Sequence, residues 1–264
     1  MTEHVVDKTQ NTLTLRDQVN ALSLIITILK NWAGYLVRGK GARQTNTSEM
    51  FWDMIAQNFD QQAKDFEETH SRTLANTEKY LKQGDCILDF GCATGTDAMV
   101  FAGRAGVVRG IDISSAMIDA AKNKATSQGI GNVHFMQATI FDEQLEQESF
   151  DVIVAFNILH FFEDTLVVIQ RLNGLLKPGG YLVTATACMG ERKSGISFLV
   201  SFLVKTRIIP FMKFFRMSEL DEYMKRGDFQ ILETHVQNPL GTEVNYFIVG
   251  QKSTGDRSPK DGGK

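Results

Sequence analysis

Hydrophobic and polar positions run in two rhythms along this chain. Between Cys86 and Lys252, short apolar runs of strand type alternate with longer runs of helical period. Cys86–Phe90, Phe150–Phe156 and residues 107–113, 133–136 and 181–186 read as strands, rich in Val, Ile and Phe and bounded by turn residues. Ser115–Ser127 and residues 97–104 and 164–176 read as the helices between them. The run Lys177-Pro178-Gly179-Gly180 predicts a stop to the last of these helices and a turn into the fifth strand. Strand and helix in regular succession predict an α/β architecture, a parallel sheet with helices on both faces. The end differs. Residues 229–236 and 245–250 are separated by a connection short enough for an antiparallel pair, so the last strand of the expected seven runs against the others.

Before Cys86 the pattern is helical throughout. Asn46, Thr47 and Ser48 offer caps for a helix through Phe59, and residues 70–81 form another. In residues 19–37 the apolar positions Leu22, Ile25, Ile26, Leu29, Ala33 and Leu36 share one helical face. Lys30 and Asn31 interrupt that segment centrally, which argues against a membrane span. It can pack as a lid, or lie in a membrane interface with Trp32 and Tyr35 at the headgroups. Residues 195–217 pose the same choice, mixing Phe198, Phe202, Phe211, Phe214 and Phe215 with Lys205, Arg207, Lys213 and Arg216. The expected division is a helical extension over 1–45, a domain over 46–252 with a helical lid around 190–226, and a polar, disordered tail over 253–264.

A net charge of −3 over 264 residues argues against a nucleic-acid partner. Three cysteines without repeated spacing argue against a disulfide framework or a zinc site, and no metal constellation is evident. The first residues, MTEHVVDKTQ, lack the form of a secretory signal, so a cytoplasmic protein is expected, with peripheral membrane contact as a variant.

The informative segment is Ile87-Leu88-Asp89-Phe90-Gly91-Cys92-Ala93-Thr94-Gly95-Thr96. An apolar strand ends in an acid, and a small-residue turn opens a helix where open α/β sheets bind ligands. A dinucleotide loop would need G-x-G-x-x-G, but Gly91, Ala93 and Thr96 occupy those positions. A carboxylate at Asp89 also repels a diphosphate. It can hold the loop backbone or receive an ammonium group. Asp112 ends the second strand, 21 positions beyond Gly91 (112 minus 91), and can accept hydrogen bonds from two ribose hydroxyls.

The pattern D-x-G-x-A-x-G over Asp89, Gly91, Ala93 and Gly95, with Asp112, resembles the first two motifs of class I, Rossmann-like S-adenosylmethionine-dependent methyltransferases. The resemblance spans residues 51–252 and is strongest over 88–180. It implies S-adenosyl-L-methionine as cofactor, with Ile113 beside the adenine and Thr139 and Ile140 after the third strand. Members usually carry Gly-Asp where Ala138 and Thr139 stand, so the charged adenine contact is missing; Asp142 can substitute. Asn157 would sit at the methionine end. Phe59 matches a position where members often have Tyr, which removes a hydroxyl.

His160, just past the fourth strand, is the candidate catalytic base, with a pocket wall as its other reading. His70 and Tyr223 are weaker candidates; His4, His134 and His235 read as structural or exposed. The expected activity is methyl transfer to a small, apolar or lipophilic molecule. A lipid or quinone-type acceptor at a membrane surface is the alternative. A nicotinamide-dependent oxidoreductase and a non-catalytic cofactor-binding module stay open behind it.

Overall fold

The computed structural model describes residues 47–64, 67–192, 195–237 and 244–254. The amphipathic segment 19–37, the rest of the extension, the turn over 238–243 and most of the tail lie outside the described residues.

Three short helices open the described chain: α1 (Thr47–Ile55), α2 (Phe59–Ala63) and α3 (Glu67–Thr77). They are followed by β1 (Cys86–Phe90), α4 (Thr96–Ala102), β2 (Val107–Asp112), α5 (Ser115–Ser127), β3 (Val133–Gln137) and β4 (Phe150–Phe156). Then come α6 (Thr165–Leu175), β5 (Leu176–Ala187), α7 (Gly195–Lys205), α8 (Met217–Arg226), β6 (Phe229–Gln237) and β7 (Asn245–Lys252). The strands form one seven-stranded sheet in the order β3-β2-β1-β4-β5-β7-β6. β7 is antiparallel to both of its neighbours, as the short final connection implied.

Side chains alternate across the strands, and each face has its own helices. On one face, Ile87, Val108, Val154 and Val183 pack under Ala98 and Phe101 of α4 and Ile118 and Ala121 of α5. On the other, Leu88, Ile153 and Leu182 pack under Ile169 and Leu172 of α6 and Leu220 and Met224 of α8. Local signals start the helices. Ser114 caps α5 by accepting the Met117 N–H at 3.1 Å, and Asp164 caps α6 by accepting that of Val167 at 3.2 Å.

Two expectations shift. The helix predicted through Phe59 breaks after Ile55 into a 3-10 turn at Ala56–Asn58 before α2 resumes. α6 ends at Leu175, just before Lys177-Pro178-Gly179-Gly180, but those four residues form no turn ahead of the strand: the chain joins the sheet at Leu176 and they lie within β5. The register against β4 shifts between Phe150 and Val152, a bulge that takes up the glycines. A Cβ on Gly180 would sit 2.8 Å from the Asp151 carbonyl oxygen. Among the described residues, no helix is long and apolar enough to cross a membrane.

Candidate active site

The strand order reverses between β1 and β4, and the site is built on the carboxyl ends of the strands around that point. Gly91 and Gly95 hold φ of +78° and +76°. A Cβ on Gly91 would lie 2.9 Å from Ile158, and one on Gly95 would lie 2.4 Å from the Phe135 ring. Both positions therefore require glycine. Ala93 adopts the same left-handed region at +46°, which costs about 1–3 kcal/mol. Hydrogen bonds hold it there. The Ala93 N–H donates to Asp112 Oδ2 at 3.1 Å, and the N–H groups of Gly91 and Cys92 donate to the Ile111 carbonyl at 2.9 and 3.0 Å.

Asp89 is 3% exposed, and its Oδ2 has no hydrogen-bond partner. Burial, then the nearby Asp97 and Asp112 carboxylates, push its carboxyl well above the usual range; the Ala98 N–H opposes them. A buried, unpaired acid oxygen beside a glycine cradle is suited to a cation flanked by hydrogen-bond donors. The ammonium and nucleoside of S-adenosylmethionine fit that donor set. Asp97 is engaged by His70 at 2.8 Å, a contact that raises the His70 pKa. Asp112 accepts the Ser114 N–H at 2.9 Å as well as that of Ala93. Burial raises its pKa, while those two N–H groups hold it down.

Ile113 is half-buried next to Asp112, and Gln137 donates to its carbonyl at 3.0 Å. Phe59 packs with Ile55, Met117 and Ala93. Asn157 lies exposed at the tip of β4 with φ of +49°, pinned by its N–H to the Ala185 carbonyl at 2.7 Å. Thr139 is exposed after β3, its hydroxyl accepting the Phe141 N–H at 3.3 Å. Ile140 does not join this group. Its side chain is buried in the cluster with Leu145 and Val168, and its carbonyl accepts from Arg171.

His160 sits in a 3-10 turn beyond β4, 5% exposed, with Nδ1 lacking any partner. Burial pushes its pKa down to about 4, so the imidazole is neutral near pH 7. Its ring lies 4.2 Å from that of Phe161, and its carbonyl accepts the Lys213 N–H, from the segment between α7 and α8, at 2.7 Å. Tyr223 accepts from Lys213 Nζ at 2.7 Å. His134 is exposed, His235 is held by Glu233, and His4 lies outside the described residues. Cys92 and Cys188 are buried and Cys86 is half-buried, all as free thiols whose pKa burial raises.

Several residues at this site carried no sequence signal. Asp53 of α1 accepts from Ser114 Oγ at 2.6 Å and from the Ala116 N–H at 3.1 Å. Asp60 of α2 accepts from the Thr94 hydroxyl and from Lys124 Nζ, the latter at 2.7 Å. In the sequence both are ordinary polar positions on helices. Only their spacing from Phe51, Trp52 and Phe59, on the apolar side, distinguishes them. A cavity of about 310 Å³ lies elsewhere, at the edge formed by β2 and β3, lined by Arg109, His134, Met136 and Gln144.

Residues 81–236 match a family model described as a methyltransferase domain, more than half of the chain. An uncharacterized methyltransferase of Mycobacterium tuberculosis is 32% identical over 118 residues, 45% of this chain and 58% of that protein. The chain thus spans somewhat over half the length of that relative. A ubiquinone biosynthesis O-methyltransferase of Coxiella burnetii is 28% identical over 165 residues, 59% of this chain and 70% of that protein. The crystal structure of a SAM-dependent methyltransferase from Methanosarcina mazei shares the fold, with a TM-score of 0.57 and 23% identity over 67% of this chain and 96% of that one. The motif loop, the strand order and the matched family model agree: this chain belongs to the class I, Rossmann-like family of S-adenosylmethionine-dependent methyltransferases.

Proposed function

We propose that this chain transfers a methyl group from S-adenosylmethionine to a small, fairly apolar acceptor held under the lid of residues 190–226. The observation that carries this reading is the buried, unpaired Asp89 carboxyl oxygen beside the Gly91–Gly95 turn. Asp89 takes the ammonium of the cofactor, and Gly91, Ala93 and Gly95 let the backbone approach it. Asp112 takes the ribose hydroxyls, Ile113 and Thr139 flank the adenine, Asn157 lies at the methionine end, and Phe59 forms part of the roof. When bound, the cofactor supplies an electrophilic sulfonium methyl group.

His160 serves the acceptor. General bases work best with a pKa near the operating pH, and burial holds His160 at about 4. It is therefore a weak proton acceptor but a good hydrogen-bonding wall. Its unpartnered nitrogen can orient an acceptor hydroxyl, with the Phe161 ring packed beside the imidazole.

A second reading, a lipid or quinone-type acceptor at a membrane surface, is favoured by α7. Phe198 and Phe202 are 77% and 54% exposed, and Lys205 and Arg207 stand nearby. The Coxiella burnetii relative's name, a ubiquinone biosynthesis O-methyltransferase, points the same way.

The test is calorimetric titration with S-adenosylmethionine, followed by incubation with methyl-labelled cofactor and fractionated cell extract. Saturable binding, and label transferred to an organic-soluble small molecule, are expected. Absence of binding would overturn the assignment.

A further inference from the structure

Phe51, Trp52 and Asp53 are consecutive residues of α1 with three different neighbours. Phe51 packs against the lid at the buried pair formed by Leu203 of α7 and Ile209. Trp52 meets Phe161 edge-on, with ring centroids 5.0 Å apart, and Phe161 lies against His160. Asp53 holds Ser114 and Ala116, two and four positions beyond Asp112. Successive helical residues project about 100° apart, so under one turn of helix fans these side chains towards the lid, the His160 turn and the ribose-side loop. α1 is the common neighbour of all three.

We propose that α1 couples the two halves of the site: occupation of the cofactor cleft fixes α1 through Asp53, and Phe51 passes that order to α7. The inference rests on the cofactor half of the function proposed above and needs no knowledge of the acceptor. A helix that is already ordered spares the next ligand the ordering entropy, which makes the two binding events cooperative without a large movement. Couplings of this kind typically change affinities by about 5–150-fold. Phe51, Trp52 and Asp53 are thus positioning residues.

The experiment combines calorimetry with amide hydrogen exchange on the full chain, using S-adenosylhomocysteine as the probe. In the wild type, the probe should slow exchange across Gly195–Lys205 by at least about 5-fold. Phe51→Ala should bind the probe with affinity within about 3-fold of wild type and lose that slowing, while Phe51→Leu restores it. Leu203→Ala, on the lid side of the same contact, should also lose it, which guards against a fold defect peculiar to position 51. Asp53→Ala should weaken probe binding itself. Probe binding that leaves α7 exchange unchanged, or slowing that survives in both Phe51→Ala and Leu203→Ala, would overturn the coupling. Failure of the wild type to bind the probe at all would instead overturn the cofactor reading, and the coupling with it.

Discussion

The backbone N–H of Ala93 donates to the carboxylate of Asp112 across 3.1 Å, tying the turn after β1 to the acid at the end of β2. The Ser114 N–H reaches the other carboxylate oxygen at 2.9 Å. One side chain therefore braces two loops and still has lone pairs to offer a ligand. Hydrogen bonds to a charged group contribute about 1.5–3 kcal/mol each, so this brace is a substantial local term.

Asp112→Ala should remove the brace and, on the proposed function, the contact to the cofactor ribose. Affinity for S-adenosylhomocysteine should fall by roughly 100-fold or more, and the melting temperature should also drop, since two part-buried N–H groups lose their acceptor. Asp112→Asn should fold better than Asp112→Ala, because the amide oxygen keeps one acceptor. Calorimetry and thermal melting separate the two effects. Unchanged binding by Asp112→Ala would remove Asp112 from the site.

Gly95 and Gly129 both have positive φ, at +76° and +67°, but differ in their surroundings. A Cβ on Gly129 meets nothing within 4 Å, so Gly129→Ala should cost only the conformational strain, about 1–2 kcal/mol. Gly95→Ala adds an overlap with the Phe135 ring and should cost roughly 1–3 kcal/mol more, with loss of cofactor binding. Urea unfolding of the two variants measures the difference. Equal destabilisation would mean that the loop adapts and that the glycine is not required for fit.

The contrast between Gly95 and Asp53 shows what the sequence could convey. Gly95 lies in a motif whose spacing is itself the chemistry, so the strand, the turn and Asp112 were all legible before any coordinates. Asp53 is one polar residue on a helix, and nothing local says that it will meet Ser114, 61 positions away in the chain. Ile140 shows a limit of the opposite kind. The family resemblance put Ile140 beside Thr139 after the third strand, but it could not say that the Ile140 side chain is buried in the core with Leu145 and Val168. The bulge at Gly180 was hidden as well, because Pro and Gly mark a break in a helix without saying where the next strand begins.

The buried imidazole of His160 makes a signed prediction about pH. Folding lowers its pKa from 6.5 to about 4. Between those values the unfolded chain takes up a proton that the folded chain refuses, so stability is lost as pH falls from 6.5 towards 4. The loss is on the order of 3 kcal/mol. Asp89 acts in the opposite sense. Its raised pKa favours the fold at low pH, and that contribution is lost as pH rises above 3.8. The two are separated by comparing wild type with His160→Leu in urea unfolding across that range. The wild type should lose more stability on acidification than the variant; parallel curves would mean that water or a proton reaches the ring in the folded state.

The exposed face of α7 decides between the two acceptor classes. Phe198 and Phe202 are spaced i and i+4, so they share one helical face. Burying such a side chain in a bilayer interface contributes about 1.5–3 kcal/mol, and a nearby basic residue about 1 kcal/mol at an anionic surface. If the acceptor is drawn from a membrane, the wild type should float with vesicles of mixed phosphatidylcholine and phosphatidylglycerol. The double variant Phe198→Asp, Phe202→Asp should then remain at the bottom. Its melting temperature should hardly change, because neither ring is part of the core. If the wild type itself fails to float, the membrane-surface reading is rejected, and these rings are left to line the entrance for a small acceptor arriving from solution.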